Sequence, residues 1–537
     1  MMLSTNNNGK DQNFPSASSG RHTPLSAGGW SIVTFAISYA IGFLYIIPLV
    51  RLDLLPSDAL GLYAIATVVS SALTLMIELS LIRALVRTEG DRSEVAQATF
   101  WLSIWVGIGG AVVCALAGLP MIWIYNNDSL PLVMLALAPS IFATAIGVVP
   151  HAILSRELDF KRKLLPETIS VAGAAVLALV VGFLHLGVYI LITYSVVRAI
   201  LNAAIAWWIV PWRPTRKTPS RQLVKQLLSF GVPSSGGELT LYARYNVDYA
   251  IGGARMGEDL IGGYYLAWQA VERPARLINA FFDLVGYSTF ARLQAHRDRL
   301  IEVFISATRL LAALTLPLFL GVIFVRQEIV NVLFGERHLD IIEPLLPLLV
   351  LQALWIIFHP SAGLILALGK SRMYAIVNVV SLVITIGMII LATSNSTTTL
   401  YTPSGEVIGE VGAAGTSAGL AWAMLAAAGT TSVVWGVLAW YYLRPSMAQL
   451  WYFIKVPLLL TVTTLPAIFL AQYLTMQADL PAIVRLLAAF VAGGVVFLGV
   501  GWLCRKGILQ DIARLRERLP DEIEPLPTSS ELLELSS

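Results

Sequence analysis

Apolar residues run along this chain in long stretches broken by short polar connectors. About fourteen of those stretches reach the roughly 20 residues that a helix needs to cross a bilayer. They run from about Trp30 to Val50, Leu60 to Leu81, Ala98 to Tyr125, Pro131 to Leu154, Thr168 to Leu184 and Gly187 to Val210. After a basic connector come Phe230 to Ala254, Leu260 to Tyr287, Leu300 to Val325, Pro344 to Leu368 and Tyr374 to Ala392. The last three span about Val411 to Trp440, Val456 to Leu474 and Pro481 to Leu503. Hydrocarbon cannot satisfy backbone polar groups, so such segments are helices. The expected fold class is all-α, a polytopic membrane protein. The connectors leave no room for a soluble catalytic domain, so the activity lies within or across a membrane.

Lys and Arg set the orientation. Alternate connectors hold Arg83, Arg87 and Arg92; Arg156, Lys161, Arg162 and Lys163; Arg213, Arg216, Lys217, Arg221 and Lys225; Arg292, Arg297 and Arg299; and Lys370 and Arg372. The C-terminal tail adds Arg505, Lys506, Arg514, Arg516 and Arg518, whereas the other connectors carry little beyond Arg51, Arg255, Arg326 and Arg337. Both termini are therefore expected in the cytoplasm, which requires an even number of spans.

The chain also repeats itself. Ser57-Asp58-Ala59-Leu60-Gly61-Leu62-Tyr63-Ala64-Ile65-Ala66 follows the first span, and Glu258-Asp259-Leu260-Ile261-Gly262-Gly263-Tyr264-Tyr265-Leu266-Ala267 follows the seventh. A second echo pairs Pro150-His151-Ala152-Ile153-Leu154 and Arg162 with Pro360-Ser361-Ala362-Gly363-Leu364 and Arg372. Six spans per half give both halves one orientation, hence a parallel repeat about an axis along the membrane normal. The expected divisions are an N-terminal tail (1–27), a first six-helix lobe (28–211), a basic linker (212–228), a second lobe (229–441), two added spans (442–503) and a C-terminal tail (504–537).

Composition agrees: 57% of residues are hydrophobic and 13% charged, with a net charge of +3. The polar tail Met1 to Leu25 shows no short apolar core with a cleavage site, so no removable signal peptide is expected. Cys114 and Cys504 offer neither a disulfide framework nor metal-ligand spacing and read as small core hydrophobes. Gly369-Lys370-Ser371 resembles the end of a phosphate-binding loop, but Leu364 stands where its first glycine belongs. No cofactor, metal or nucleic acid is expected. Gly412-Ala413-Ala414-Gly415 is read as a close helix-packing surface.

Charges inside the spans carry the functional signal, because each costs about 2.5 to 3.5 kcal/mol facing lipid. In the eighth span Tyr265, Gln269, Glu272, Arg276, Asn279 and Asp283 fall within a stripe of roughly 80° on one side of the helix. Arg273 lies beside it, and Pro274 is expected to kink the helix there. The seventh span adds Glu238, Arg244, Asn246 and Asp248; Arg244 and Asp248 are one turn apart and can pair. Arg198 sits in the sixth span, Glu78 near the cytoplasmic end of the second and Arg309 in the ninth, where the latter two can snorkel to headgroups. For the seventh and eighth spans, structural ion pairing between helices and a wet, mixed-charge cavity both remain open. Arginine in such a cavity suits phosphate through its planar fork.

Four stretches carry a family resemblance: Leu55 to Tyr63, Ser155 to Lys163, Phe230-Gly231-Val232-Pro233 leading to Arg244-Tyr245-Asn246-Val247-Asp248, and Gly262-Gly263-Tyr264-Tyr265 with Glu272 to Arg276. They resemble the polysaccharide and O-antigen (Wzx-like) flippases of the multidrug/oligosaccharidyl-lipid/polysaccharide exporter superfamily, nearest the colanic acid and teichuronic acid exporter branch. The resemblance implies a two-lobed bundle in the bacterial inner membrane that moves undecaprenyl-diphosphate oligosaccharides outward by alternating access. Relatives use cationic residues in the central cavity, which implies a diphosphate role for Arg244 and Arg276. Their neighbour Arg273, with Arg198, is a further candidate, and Tyr242, Tyr245, Tyr265 and Trp268 either stack on sugars or fill helix contacts. Arg156, Lys161, Arg162 and Lys163 would lie along inner-leaflet headgroups, and a polysaccharide polymerase and chain-length machinery would be partners. Val271-Glu272 stands where the family often has Phe-Asp, and the loop Asn395 to Glu410 is longer than usual.

Energy has two expected sources. Exporting about two negative charges from a negative interior gains roughly 4 to 5 kcal/mol per 100 mV. Alternatively Glu78, Glu238, Asp248, Glu272 or Asp283 carries a proton or cation inward. Competing readings are a drug or cation antiporter of the same superfamily, a lipid-linked peptidoglycan precursor flippase and, from another class, a membrane glycan polymerase or ligase.

Overall fold

The computed structural model describes residues 34, 36–87, 92–156, 160–215, 220–283, 286–294, 296–394, 398–401, 407–411 and 416–516. In the first half lie α1 (Ala36–Arg51), α2 (Ser57–Arg87), α3 (Arg92–Tyr125), α4 (Leu130–Arg156), α5 (Phe160–Gly182) and α6 (Val188–Ile209). The second half has α7 (Arg221–Met256), α8 (Glu258–Asp283), the short α9 (Gly286–Leu293), α10 (Arg297–Leu333), α11 (Ile342–Ala367), α12 (Ser371–Ala392) and α13 (Ser417–Leu443). Then follow α14 (Met447–Gln477), α15 (Ala482–Leu503) and α16 (Arg505–Arg516).

Among the described residues eleven helices, α2 to α6 and α10 to α15, are long and apolar enough to cross a bilayer. The expected fourteen is reached only with α1, whose apolar stretch is shorter, and with α7 and α8, whose polar residues keep them below that apolarity. The chain is thus a multi-pass membrane protein whose most polar long helices stand at the places of the seventh and eighth expected spans.

Several boundaries differ from expectation: α5, α7 and α14 begin eight or nine residues earlier, so that α7 takes up about half of the expected linker 212–228, and two others differ in kind. The eighth span was expected to run to Tyr287, but α8 ends at Asp283 and the separate α9 follows. The twelfth was expected from Val411, but α13 starts at Ser417, where the Thr416 side chain caps Gly419 N at 3.0 Å. Val407–Val411 instead forms β2, antiparallel to β1 (Thr398–Tyr401). The β-branched and aromatic residues of both segments explain the hairpin. Gly412 to Gly415, read as a packing surface, lies outside the described residues.

The halves repeat one packing scheme. In the first, α2 packs on α4, α3 on α4, α4 on α6 and α5 on α6; in the second, α8 packs on α11, α10 on α11, α11 on α13 and α12 on α13. The added pair α14 and α15 packs on α10, and α14 opens with a capping box between Ser446 and Gln449.

The halves meet where α2 crosses α7 and α8. A Cβ added to Gly61 would overlap the carbonyl oxygen of Glu258, and one added to Gly262 would overlap that of Ser57. These four residues are the two equivalent pairs of the sequence repeat, so one motif grips its own copy. Only glycine lets the backbones approach so closely.

Polar contacts ring this crossing. Arg337 pairs with Asp53, and Arg51 Nη1 donates to the carbonyls of Asn331 at 3.4 Å and of Val332, at the end of α10. Asn127 Nδ2 donates to Glu258 at 2.5 Å, and the Tyr125 hydroxyl to the Ala250 carbonyl at 3.1 Å. All of these residues lie at the connector ends that the charge pattern puts opposite the basic face.

Candidate functional site

Three arginines from both halves converge beside α1. Arg276 on α8 donates through Nε at 2.9 Å and Nη2 at 2.6 Å to Glu272 Oε1, one turn earlier. Arg273 donates from Nε to Gln269 Oε1 at 2.9 Å, and its other end reaches Gly42 on α1 and sits 5.8 Å from the Tyr39 ring centre. The Tyr39 hydroxyl is also a partner of Arg276. On α6, Arg198 Nη2 donates to Glu167 Oε1 of α5 at 2.5 Å.

Arg273 stands between the other two arginines. It shares Tyr39 with Arg276, and it shares the Tyr63 and Tyr194 hydroxyls, both within its electrostatic reach, with Arg198. Tyr194 stacks on Tyr45 with ring centres 4.3 Å apart, and Tyr63 bonds Ser195 at 2.6 Å, which fixes the wall behind them. Side-chain exposure rises from 19% at Glu272 to 44% at Arg198 and 55% at Arg276, so the guanidinium edges stay accessible while their partners are held. Three guanidinium groups against the carboxylates of Glu167 and Glu272 leave this wall with an excess of one positive charge. Such a wall can bind a diphosphate through paired charge-assisted hydrogen bonds.

Arg244 and Asp248 lie elsewhere, deep in the second half. The pair expected from their spacing does not form. Arg244 Nη2 donates to the Tyr245 hydroxyl at 2.8 Å and the guanidinium stacks 4.7 Å from that ring centre, while Asp248 Oδ2 accepts from Tyr264 at 2.7 Å. Aromatic neighbours outcompete the helical one. Arg244 Nε and Asp248 Oδ1 are buried without a partner.

The aromatic candidates divide in the same way. Trp268 is buried and meets Trp355 edge-on at 5.7 Å; Tyr265 is buried against Tyr63 and Tyr249. Tyr242 donates to the Thr67 and Val68 carbonyls across the halves, and Tyr245 is partly exposed, edge-on to Trp355 at 4.9 Å.

Of the remaining candidates, Asn279 Oδ1 is buried without a partner, and Glu78 and Arg162 are exposed. The side chains of Glu238, Asp283, Arg156, Lys161 and Lys163 lie outside the described residues. Helix α8 runs unbroken through Pro274. Arg309 does not snorkel: it is buried, donates to Asp511 Oδ2 at 2.8 Å and lies 3.8 Å over the Tyr452 ring. Asp511 is the stronger attraction because it lies inside the protein, where the charge is not screened.

Sequence reasoning missed Glu167, Tyr39 and Asp511. Glu167 follows Pro166 one residue before the expected fifth span and was read as connector, yet α5 begins at Phe160 and carries it well inside the helix. The signal available was that lone carboxylate at the edge of an apolar run.

Comparison with known proteins places the chain. It is 24% identical to the teichuronic acid biosynthesis protein TuaB of Bacillus subtilis over 54% of this chain and 60% of that protein. It is also 24% identical to the lipopolysaccharide biosynthesis protein WzxC of Escherichia coli, over 65% of this chain and 71% of that one. The match to TuaB thus spans less than two thirds of that relative's length. In fold the chain is similar to the lipid II flippase MurJ in an inward closed conformation, with a TM-score of 0.66, 14% identity, and 90% of this chain and 99% of that one covered. The family described as "Polysaccharide biosynthesis protein" matches residues 49–343, which is more than half of the chain and takes in α2 to α10 with every arginine of the wall. The chain belongs to that polysaccharide biosynthesis protein family.

Proposed function

We propose that the protein flips undecaprenyl-diphosphate-linked oligosaccharides from the inner to the outer leaflet of the bacterial cytoplasmic membrane, for cell-surface polysaccharide synthesis. Both termini are cytoplasmic, residues 28–211 and 229–441 are the two lobes, and 442–503 are added spans. The lobes rock by alternating access, and no covalent bond is made or broken. The observation that carries this reading is the convergence of Arg198, Arg273 and Arg276 from both halves on one wall, in a chain of the polysaccharide family. A drug or cation antiporter would be better served by a wall with excess negative charge.

In this orientation the Gly61–Gly262 crossing lies at the outer face, so the structure is the state closed to the outside. The diphosphate engages Arg198, Arg273 and Arg276, Tyr245 offers a ring to the sugars, and the polyprenyl tail stays in lipid. Arg244, being buried, joins only on rearrangement. Arg156 to Lys163 rests on anionic headgroups at about 1 kcal/mol per charge. A polymerase and its chain-length machinery take the product on the far side.

The test is leaflet-to-leaflet movement of a fluorescent lipid-diphosphate sugar in liposomes holding the purified protein. Arg276→Ala is expected to slow movement at least about tenfold, the loss of one charge-assisted pair of hydrogen bonds. Movement at the wild-type rate removes the phosphate role.

A further inference from the structure

One carboxylate at the wall belongs to no reading so far. Glu167 uses both of its oxygens: Oε1 accepts from Arg198 at 2.5 Å, and Oε2 accepts from Asn202 Nδ2 at 3.1 Å. Asn202 turns its own carbonyl oxygen to His151 Nε2 on α4. With that oxygen engaged by the ring nitrogen, the amide presents its N–H groups to Glu167. Three helices, α4, α5 and α6, therefore build a holder for one carboxylate, and the carboxylate faces a wall with spare positive charge. The neighbouring Tyr194 on α6 and the Ser38–Thr168 bond between α1 and α5, at 3.0 Å, complete its surroundings.

We infer that Glu167 is a resident counter-anion that the substrate diphosphate displaces. This rests on the diphosphate reading above. In the empty protein the carboxylate occupies the fork of Arg198. When a diphosphate arrives, its oxygens compete for the same N–H groups, and Arg198 turns from Glu167 to the ligand. Glu167 is not stranded, because Asn202 still donates to it and His151 still holds Asn202.

The arrangement does two things. It keeps the wall close to neutral while the carrier returns empty through a medium in which unmatched charge is costly. It also weakens ligand binding, which lets the product leave. Glu167 is thus a positioning residue that trades affinity for turnover. It acts only through Arg198.

The test is equilibrium binding of a soluble farnesyl-diphosphate-linked N-acetylglucosamine to the full-length protein in detergent. Glu167→Gln, nearly the same shape without the charge, is expected to tighten binding about three- to fivefold, the scale of a half-exposed ion pair. It should also slow turnover in liposomes. Glu167→Ala should move affinity the same way, and Glu167→Asp should return it towards wild type. In an Arg198→Ala background, Glu167→Gln should change nothing further, because the two residues act as one unit. Weaker binding by both neutral variants overturns the inference, as does equal tightening with and without Arg198. Absence of saturable binding by the wild-type protein overturns the diphosphate reading itself and the inference with it.

Discussion

Arg309 and Asp248 are both buried within the helices of this protein, yet only one has its charge matched. Arg309 is answered by Asp511, which also accepts from Ser306 at 2.9 Å and from Tyr452 at 2.8 Å. Removing one member of such a group leaves the other charged and buried. Asp511→Ala is therefore expected to lose about 3 to 5 kcal/mol of stability, seen as a lower thermal midpoint in detergent, and Arg309→Met with Asp511→Leu to recover most of it. Asp248, by contrast, has an orphaned oxygen. If carboxylates couple export to protons, Glu272→Gln or Asp248→Asn should abolish the dependence of liposome flipping on a pH gradient. Dependence retained by the amide variants of Glu238, Asp248, Glu272 and Asp283 alike rules these carboxylates out as the coupling groups. At this scale the sequence exposes Arg198, Arg273 and Arg276, because a charge in an apolar run is costly and visible. It hides Glu167, at the edge of its run, and Asp511, whose partner is 202 residues away. Spacing alone also misjudges Arg244, since the choice between Asp248 and the Tyr245 ring is made by packing.

Among the elements, α2 and α8 matter most for movement. Each contributes the glycine that admits the other's first turn, so bulk at either position should hold the halves apart there. Gly262→Leu is expected to leave the protein folded but to cut export severalfold. A disulfide formed between cysteines placed at 53 and 337 reports the same thing: oxidation should cross-link the pair efficiently in the parent and poorly with Gly262→Leu. Unchanged cross-linking would mean that the crossing tolerates a side chain. Most of the long helices are legible from apolarity alone, since bilayer thickness dictates their length. The polar α7 and α8 are the ones apolarity undervalues, for the reason that makes them interesting: their polar residues line contacts between protein parts. The hairpin of β1 and β2 was not foreseen, because nine strand residues within a long polar connector give no periodic signal strong enough to read.

Among the described residues the molecule is two copies of one packing scheme, with a third unit, α14 and α15, leaning on α10. The duplication was legible from two short echoes, whereas the reciprocal fit of those echoes against each other was not, because sequence shows likeness and not contact. If the halves are complete folding units, residues 1–219 and 220–537 produced as separate chains in one cell should purify together and keep part of the export activity. Halves that never associate would show that the covalent linker is indispensable. The mutual grip of Gly61 and Gly262 has an evolutionary consequence. A segment that meets its own twin through equivalent surfaces has the symmetry of a homodimer seam. A gene half this long, inserting in a single direction, would already have possessed a working joint. Fusion then freed each half to diverge, each keeping its arginine beside its own counter-charge, Arg198 with Glu167 and Arg276 with Glu272.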